Sequence, residues 1–230
     1  MATRSKSTAV KTKRSAKARL ATTGDGFKKP SSDLPARSAT VQRVTRETRV
    51  YVHLTLDGSG KSEISTGVPF LNHMLESFAK HGFFDLTVKA SGDLDVDDHH
   101  TVEDVGLVLG RAFRQALDDK RGIRRFGQAT VPLDEALCTA VVDISGRPCL
   151  VYKMPIKQEM IGTFQTELVH DFMKAFSDEV GMNLHLILHS GRNPHHIVEA
   201  AFKALARAMD TATSLDPRIS GVLSTKGTLS

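Results

Sequence analysis

The sequence predicts an α+β fold made of two similar halves, in each of which helices cover one face of a sheet. The first observation is a His-His-x-x-Glu word that occurs twice, at residues 99–103 and 195–199. The second is a single histidine before each copy, His73 and His170, so that histidines recur at separations of 96 and 97 residues. The third is the same order of strands and helices around both copies. A repeat of this length indicates internal duplication.

The first half, residues 41–122, begins with a predicted strand over 41–57 in which apolar residues alternate. Asp57-Gly58 favours a turn, so residues 61–66 are predicted to return as the second strand of a hairpin. Helical spacing of apolar residues predicts a helix over 70–81. The remaining elements of this half are a strand over 85–90 and an amphipathic helix over 99–117, with Asp98 as its N-cap.

The second half, residues 123–215, repeats this pattern. Strands are predicted over 127–133, 138–144 and 150–154, followed by a helix over 165–180, a strand over 183–189 and a helix from 195 to about 212. Asn193-Pro194 is a strong helix start, because a capping side chain is followed by a first-turn proline.

Composition indicates a globular protein with a real core, since 40% of the 230 residues are apolar. No segment approaches the length and hydrophobicity of a membrane span, so no membrane partner is expected. Cys138 and Cys149 are too few for a disulfide framework, which favours a reducing compartment.

The basic charge lies mainly in the first 37 residues. Ten Lys or Arg and two Asp give this segment a net charge of +8, so the rest of the chain carries −3 of the total +5. We predict that residues 1–40 form a disordered, solvated tail and that the protein is cytoplasmic. Two alternatives remain open: an organellar transit peptide, or electrostatic contact with nucleic acid. Nucleic acid is the less favoured partner because no aromatic residues interleave the basic ones.

Helix geometry assigns the histidines and glutamates to two metal ions. Residues four apart share a helical face, so His99 can act with Glu103, and His195 with Glu199. His100 and His196 lie about 100° further around their helices and should point at a different ion. One arrangement is consistent with the duplication, because exchanging the halves converts each set of ligands into the other. The first quartet, which would bind one ion, is His73, His100, His195 and Glu199. The second quartet, which would bind the other ion, is His99, Glu103, His170 and His196. Such sites require a helix of one half to meet a helix of the other, within a chain or between subunits, and these ligands suit zinc as well as manganese.

Four segments make the sequence resemble one family. The segments at 67–75, 97–106 (Asp-Asp-His-His-Thr-Val-Glu-Asp-Val-Gly), 143–148 and 193–196 (Asn-Pro-His-His) are similar, in this order, to those of imidazoleglycerol-phosphate dehydratases. The resemblance covers about residues 41–230. It implies a homo-oligomer of 24 subunits with active sites between subunits, and two Mn²⁺ ions in each site.

The implied reaction removes water from imidazoleglycerol phosphate to give imidazole acetol phosphate in histidine biosynthesis, as a hydro-lyase does. Two metal ions would stabilise negative charge on the imidazole ring and the leaving oxygen, while an acid/base group moves a proton. Glu47 matches the family's catalytic glutamate, although an exposed strand glutamate is the alternative explanation for it. The positions that match substrate contacts are Glu47, His81, Arg125, Arg147, Lys203, Ser224, Thr225 and Lys226. The C-terminal segment, residues 216–230, would then contribute to the substrate site.

Two other functions are compatible with parts of the sequence. A binuclear metallohydrolase would use a similar ligand set, but no obvious aspartate is placed to bridge two metals. A metal-dependent structural or nucleic-acid-associated protein would use the basic tail.

Overall fold

A computed structural model describes Met1 and residues 37–229. Most of the predicted basic tail, residues 2–36, lies outside the described part of the chain. The first half comprises β1 (Ser38–Val44), β2 (Thr48–Thr55), β3 (Ser62–Ser65), α1 (Pro69–Gly82), β4 (Asp85–Gly92) and α2 (His99–Leu117). The second comprises β5 (Phe126–Leu133), β6 (Ala136–Asp143), β7 (Cys149–Lys153), β8 (Met160–Ile161), β9 (Phe164–Gln165), α3 (Leu168–Val180), β10 (Asn183–Ser190) and α4 (Pro194–Thr213). Among these helices, none combines the length and the apolar character needed to cross a bilayer.

The predicted duplication is confirmed by the two four-stranded sheets. Their strand orders are β1-β2-β4-β3 and β5-β6-β10-β7, which are the same order in the two halves. In both sheets the last strand pairs in parallel and the other pairs are antiparallel. The register also repeats: Val52 pairs with Val88, and Ala140 pairs with Leu186. Adding 88 to the residue numbers of β2 therefore gives the equivalent residues of β6, and adding 98 to those of β4 gives the equivalent residues of β10.

The predicted hairpin between residues 41–57 and 61–66 is wrong. Residues 41–57 hold most of β1 and all of β2, and β3 pairs in parallel with β4. β2 has no free edge for β3, because β1 and β4 occupy its two sides. Asp85, at the start of β4, accepts the backbone N–H groups of Ser59 and Lys61 at 2.8 and 3.0 Å, which holds the turn beside β4.

The first strand also begins earlier than predicted. Residues 38–40 were assigned to the tail, but they pair with residues 53–55 of β2 as the start of β1. Arg37, immediately before this strand, donates to both carboxylate oxygens of Asp57 at 2.8 and 2.6 Å. Within the described residues, strand pairing therefore begins at residue 38, three residues before the predicted start of the first half.

The starts of the two histidine-bearing helices differ. Asn193 caps α4 as predicted, because its side-chain oxygen accepts the N–H of His195 at 3.0 Å. Asp98 occupies the N-cap position of α2 as predicted, but its side chain makes no capping hydrogen bond. Its backbone already has φ −81° and ψ −11°, and Asp97 instead accepts the N–H of His99 at 2.9 Å.

Helices of one half pack against helices of the other. The helix α2 covers β1 and β2 of its own sheet and contacts α3, while α4 covers β5 and β6 and contacts α1. Two glycines permit the α2–α3 approach: a Cβ atom at Gly106 would lie 2.9 Å from the Phe172 carbonyl oxygen, and one at Gly110 would lie 2.8 Å from that of Phe176. These helix contacts place the histidines of the two halves side by side.

An aromatic cluster fills the core where the halves meet. Phe113 of α2 lies 5.0 Å from Phe84 and 5.5 Å from Phe176 of the other half, measured between ring centroids, with edge-to-face geometry. All three rings are fully buried, as is Phe78 beside them. Burial of this much aromatic surface joins the halves into one core.

We expect Phe113→Ala to lower the free energy of unfolding by about 3–5 kcal/mol, because it removes a buried ring and leaves a cavity between the halves. Urea unfolding at matched protein concentration measures this change. The control is Phe83→Ala, which truncates a ring that is half exposed. A loss for Phe113→Ala no larger than the loss for the control would contradict the role of this cluster.

Candidate metal centre and substrate site

Three predicted metal ligands meet between α1 and α4. The Nε2 atoms of His73 and His195 lie 3.3 and 3.2 Å from the same carboxylate oxygen of Glu199. The ligand atoms all lie within 4.8 Å of one another, and this is the one such group of three found in the described residues. We call it the α1–α4 cluster. Two imidazole nitrogens and a carboxylate that converge in this way fit the donor set of a divalent transition metal.

Lys203 and His81 border the α1–α4 cluster. The Lys203 ammonium lies 2.6 Å from the second oxygen of Glu199. Burial raises the pKa of Glu199, but the hydrogen bond and charge of Lys203, together with His73, lower it more, so the net pKa lies below its usual value. The pKa of His81 is lowered by burial and by the positive charges of Lys203 and Arg207. At neutral pH, Glu199 is therefore ionised and His81 is uncharged.

Three members of the second quartet, His99, Glu103 and His170, lie between α2 and α3. His99 Nε2 lies 3.9 Å from Glu103, while Asp171 approaches His99 Nδ1 at 3.2 Å and His170 Nδ1 at 3.3 Å. We call this group the α2–α3 cluster. Asp171 was not predicted, although it directly follows His170 in the chain. Its counterpart in α1 is Met74, which is buried, so duplication alone gives no signal for a carboxylate here.

The fourth histidine of each predicted quartet lies elsewhere. His100 Nδ1 lies 3.1 Å from Asp93, and His196 Nδ1 lies 2.8 Å from Glu135. Hydrogen bonds from the N–H of Asn193 and from His196 lower the pKa of Glu135 to about 2. Within one chain, each quartet therefore has three members grouped around a helix contact and one member bound to a different carboxylate.

Glu47 lies near His100, away from the α1–α4 cluster. It occupies the turn between β1 and β2, where it helps to line a pocket of about 310 Å³ together with Asp93. The hydrogen bond that His100 donates to Asp93 raises the pKa of His100, burial opposes this, and the charge of Glu47 adds to the increase. The predicted catalytic carboxylate thus lies close enough to one of the predicted metal ligands to affect its charge.

A second pocket, of about 550 Å³, collects most of the predicted phosphate contacts. It is lined by Arg125, Arg147 and residues 222–226, 228 and 229, so that Ser224, Thr225 and Lys226 share one surface. Arg125 donates to both oxygens of Asp143 at 2.6 and 3.0 Å and to the Leu223 carbonyl at 2.8 Å. Lys203 is not among the lining residues of this pocket. Arg125 therefore ties the C-terminal segment to the second sheet and leaves Arg147 and Lys226 exposed beside it.

Fold and site together define a class of protein. The fold consists of duplicated α+β halves, with histidine–glutamate clusters at the contacts between them and a basic pocket nearby. These features are those of a small-molecule enzyme with a candidate metal centre. The family model for imidazoleglycerol-phosphate dehydratase matches residues 66–209. A protein of that name from Pelobacter propionicus is 58% identical over 193 residues, which cover 84% of this chain and 99% of the relative. One from Geobacter metallireducens is 56% identical and covers 84% of this chain and 100% of its own.

Solved structures agree with the sequence relatives. The Staphylococcus aureus imidazoleglycerol-phosphate dehydratase has a TM-score of 0.71 and 38% identity, covering 78% of this chain and 99% of its own. The Pyrococcus furiosus enzyme, solved in complex with (S)-C348, has a TM-score of 0.72 and 36% identity, covering 82% and 100%. The chain belongs to the imidazoleglycerol-phosphate dehydratase family. It is a hydro-lyase of histidine biosynthesis, which sets aside the metallohydrolase and the structural or nucleic-acid-associated alternatives.

We expect Arg125→Lys to loosen the C-terminal segment, because one ammonium cannot replace both bonds to Asp143 and the bond to the Leu223 carbonyl. Carboxypeptidase should then shorten the chain several-fold faster, as followed by mass spectrometry. Arg49→Lys, on the exposed surface of β2, serves as the control. Equal rates in the three proteins would show that Arg125 does not order this segment.

Proposed function

We propose that the chain dehydrates imidazoleglycerol phosphate with two Mn²⁺ ions per active site, held by the two predicted quartets. The observation that carries this proposal is the convergence of His73, His195 and Glu199 on one point between α1 and α4. Imidazole nitrogen and carboxylate oxygen suit Mn²⁺, and Lys203 keeps Glu199 in the ionised form that a metal requires.

We also propose that the active site is completed between subunits of a homo-oligomer of 24 chains. His100 and His196 sit on helical faces turned away from the clusters of their own chain, where they contact Asp93 and Glu135. A second chain would supply the missing histidine of each quartet, and each chain would in turn supply its own. This arrangement makes assembly and metal binding depend on each other.

The substrate phosphate fits the basic pocket. Arg147 and Lys226 offer exposed cations, Ser224 and Thr225 offer hydroxyl groups, and Arg125 is held in place by Asp143. Charge-assisted hydrogen bonds to fixed donors are strong, so these residues would anchor the dianion and orient the imidazole toward the clusters. The C-terminal segment would then be a functional part of the site.

The reaction needs a proton acceptor beside the substrate side chain. When bound, the two divalent ions stabilise negative charge on the imidazole ring and on the leaving oxygen. Glu47, on an exposed turn beside His100, would take the proton from the side-chain carbon. His81, uncharged at neutral pH, would contact substrate next to Lys203.

We place the enzyme in the cytoplasm. The relatives named above from Pelobacter and Geobacter are bacterial proteins, and this chain aligns with 99% and 100% of their lengths. The basic residues 2–36 lie outside the described residues, so the transit-peptide alternative rests on their sequence alone.

Manganese-loaded protein should convert imidazoleglycerol phosphate to the ketone product, and His99→Ala and His195→Ala should each abolish this conversion. Each substitution removes a ligand from a different quartet, and neither half completes a site alone. Product formation and metal content per chain are the measurements. His185→Ala, an exposed histidine on β10, is the control.

Two results would overturn the ligand assignment: normal turnover, or two tightly bound metals, in either variant. Chelation of the wild-type enzyme gives an independent check. It should reduce the sedimentation coefficient or the thermal stability of the assembly along with the activity, because metal that joins elements stabilises the assembled state.

Glu47→Gln should lower the single-turnover rate at saturating substrate by roughly a hundredfold or more, the scale expected when a positioned acid/base group is lost. Metal content and substrate affinity should be nearly unchanged, since the amide keeps the size of the side chain. Glu63→Gln, on the exposed strand β3, is the matched control. A normal rate with weakened metal or substrate binding would make Glu47 a binding residue instead.

A further inference from the structure

Carboxylates outside the predicted ligand set bind the Nδ1 atoms of four predicted histidine ligands. The pairs are His196 with Glu135 at 2.8 Å, His100 with Asp93 at 3.1 Å, His99 with Asp171 at 3.2 Å and His170 with Asp171 at 3.3 Å. The contacts of His196, His100 and His170 have hydrogen-bond geometry. A carboxylate only accepts hydrogen bonds, so these three imidazoles donate from Nδ1 and keep the lone pair on Nε2. In the α1–α4 cluster, Nε2 is also the atom that His73 and His195 present to Glu199.

Glu135 is the most tightly held of these carboxylates. Its Oε2 atom receives the Nδ1–H of His196, while its Oε1 atom accepts the backbone N–H groups of Asn193 at 2.8 Å and Arg192 at 3.1 Å. The carboxylate is therefore fixed at the start of α4, and each of its oxygens has a separate partner. This geometry gives His196 both an orientation and a defined tautomer.

Glu135 and Glu47 occupy equivalent positions in the duplicated fold. Val44 pairs with Arg49 as the last pair of the first hairpin, and Pro132 pairs with Leu137 one pair before the end of the second. The shift of 88 residues that relates β2 to β6 also relates these two pairs, and each pair encloses four residues. The same shift places Glu47 on Glu135.

The two glutamates differ in use because the strand-to-helix connections differ. Residues 93–98 join β4 to α2 and include Asp93, which binds His100. Only residues 191–193, Gly-Arg-Asn, join β10 to α4, and they contain no carboxylate. In the second half the hairpin glutamate reaches the histidine, whereas in the first half Asp93 does so and Glu47 only lines the same pocket.

We infer that Glu135 is a positioning residue that holds His196 for metal binding through Nε2, that Asp93 does the same for His100, and that this division leaves Glu47 available to react with substrate. The inference rests on the ligand assignment proposed above. It assigns a function to Asp93 in the acidic turn after β4. It also explains why the equivalent residues Glu47 and Glu135 have different functions.

The substitution Glu135→Gln separates positioning from packing. If the amide oxygen keeps the N–H groups of Asn193 and Arg192, the amide NH₂ faces His196 Nδ1 and donates to it. The imidazole proton then moves to Nε2, the atom required by the metal. Loss of a carboxylate partner of this kind weakens metal binding by about 10–100-fold. Asp93→Asn should have a smaller effect, because both Asp93 oxygens lie within 3.2 Å of His100 Nδ1 and the amide can turn its oxygen toward it.

The test is a titration of metal-free, full-length protein with Mn²⁺, with free ion followed by electron paramagnetic resonance. One of the two Mn²⁺ affinities of Glu135→Gln should fall by about 10–100-fold. Glu63→Gln is the matched control: it makes the same chemical change at an exposed carboxylate whose ion-pair partner is Lys89, not a histidine, and should stay within about twofold of wild type. Asn193→Ala removes the cap of α4 but leaves the His196–Glu135 hydrogen bond in place. If Glu135 only stabilised the start of α4, this variant would lose as much Mn²⁺ affinity as Glu135→Gln.

The outcomes distinguish the inference from the function on which it rests. If His196→Ala retains both Mn²⁺ affinities, the proposed ligand assignment is wrong. If His196→Ala loses an affinity but folded Glu135→Gln binds as wild type does, or Asn193→Ala matches its loss, the positioning role is wrong. Should Glu135→Gln fold poorly, Asp93→Ala carries the same test at His100, and wild-type affinity in that folded variant would overturn the inference.

Discussion

The contact between helices of different halves is the constraint on which the rest of the structure depends. Glycines 106 and 110 let α2 approach α3, and α1 packs on α4 in the corresponding way. His73 can therefore meet Glu199, although 126 residues separate them in the chain. The buried aromatic cluster lies at the same junction, so the interaction that stabilises the core also sets the spacing of the candidate ligands.

Local patterns predicted the features that depend on one helix or one strand. His195 and Glu199 share a face because they are four residues apart, and Asn193 caps its helix as expected. Symmetry between the halves then predicted that a helix of one half meets a helix of the other. The sequence did not predict the partner of β3, because strand pairing depends on which edges other strands leave open. Nor did it predict Glu135 or Asp171, whose contacts with histidine depend on turn geometry and on a position that the repeat does not share.

The two halves share the same strand register, but several equivalent positions carry a polar residue in one half and an apolar residue in the other. Asp104 of α2 is buried and bonds to Arg43 and Thr48, whereas the equivalent residue of α4, Ala200, is buried without such groups. Met74 and Asp171 show the opposite substitution between α1 and α3. Duplication therefore conserves the positions of the ligands, while the residues around them differ enough to give each cluster its own hydrogen bonds.

The repeated helix contact has a consequence in terms of symmetry. The α1–α4 and α2–α3 contacts are the same contact made twice about an approximate twofold axis, as in an isologous dimer of half-length chains. In a true dimer every substitution appears at both copies of the contact, so the two clusters of candidate ligands would have to remain identical. Joining the halves in one polypeptide removes that obligation. Asp171 can therefore contact His99 and His170 in one cluster, while the equivalent position in the other half is Met74.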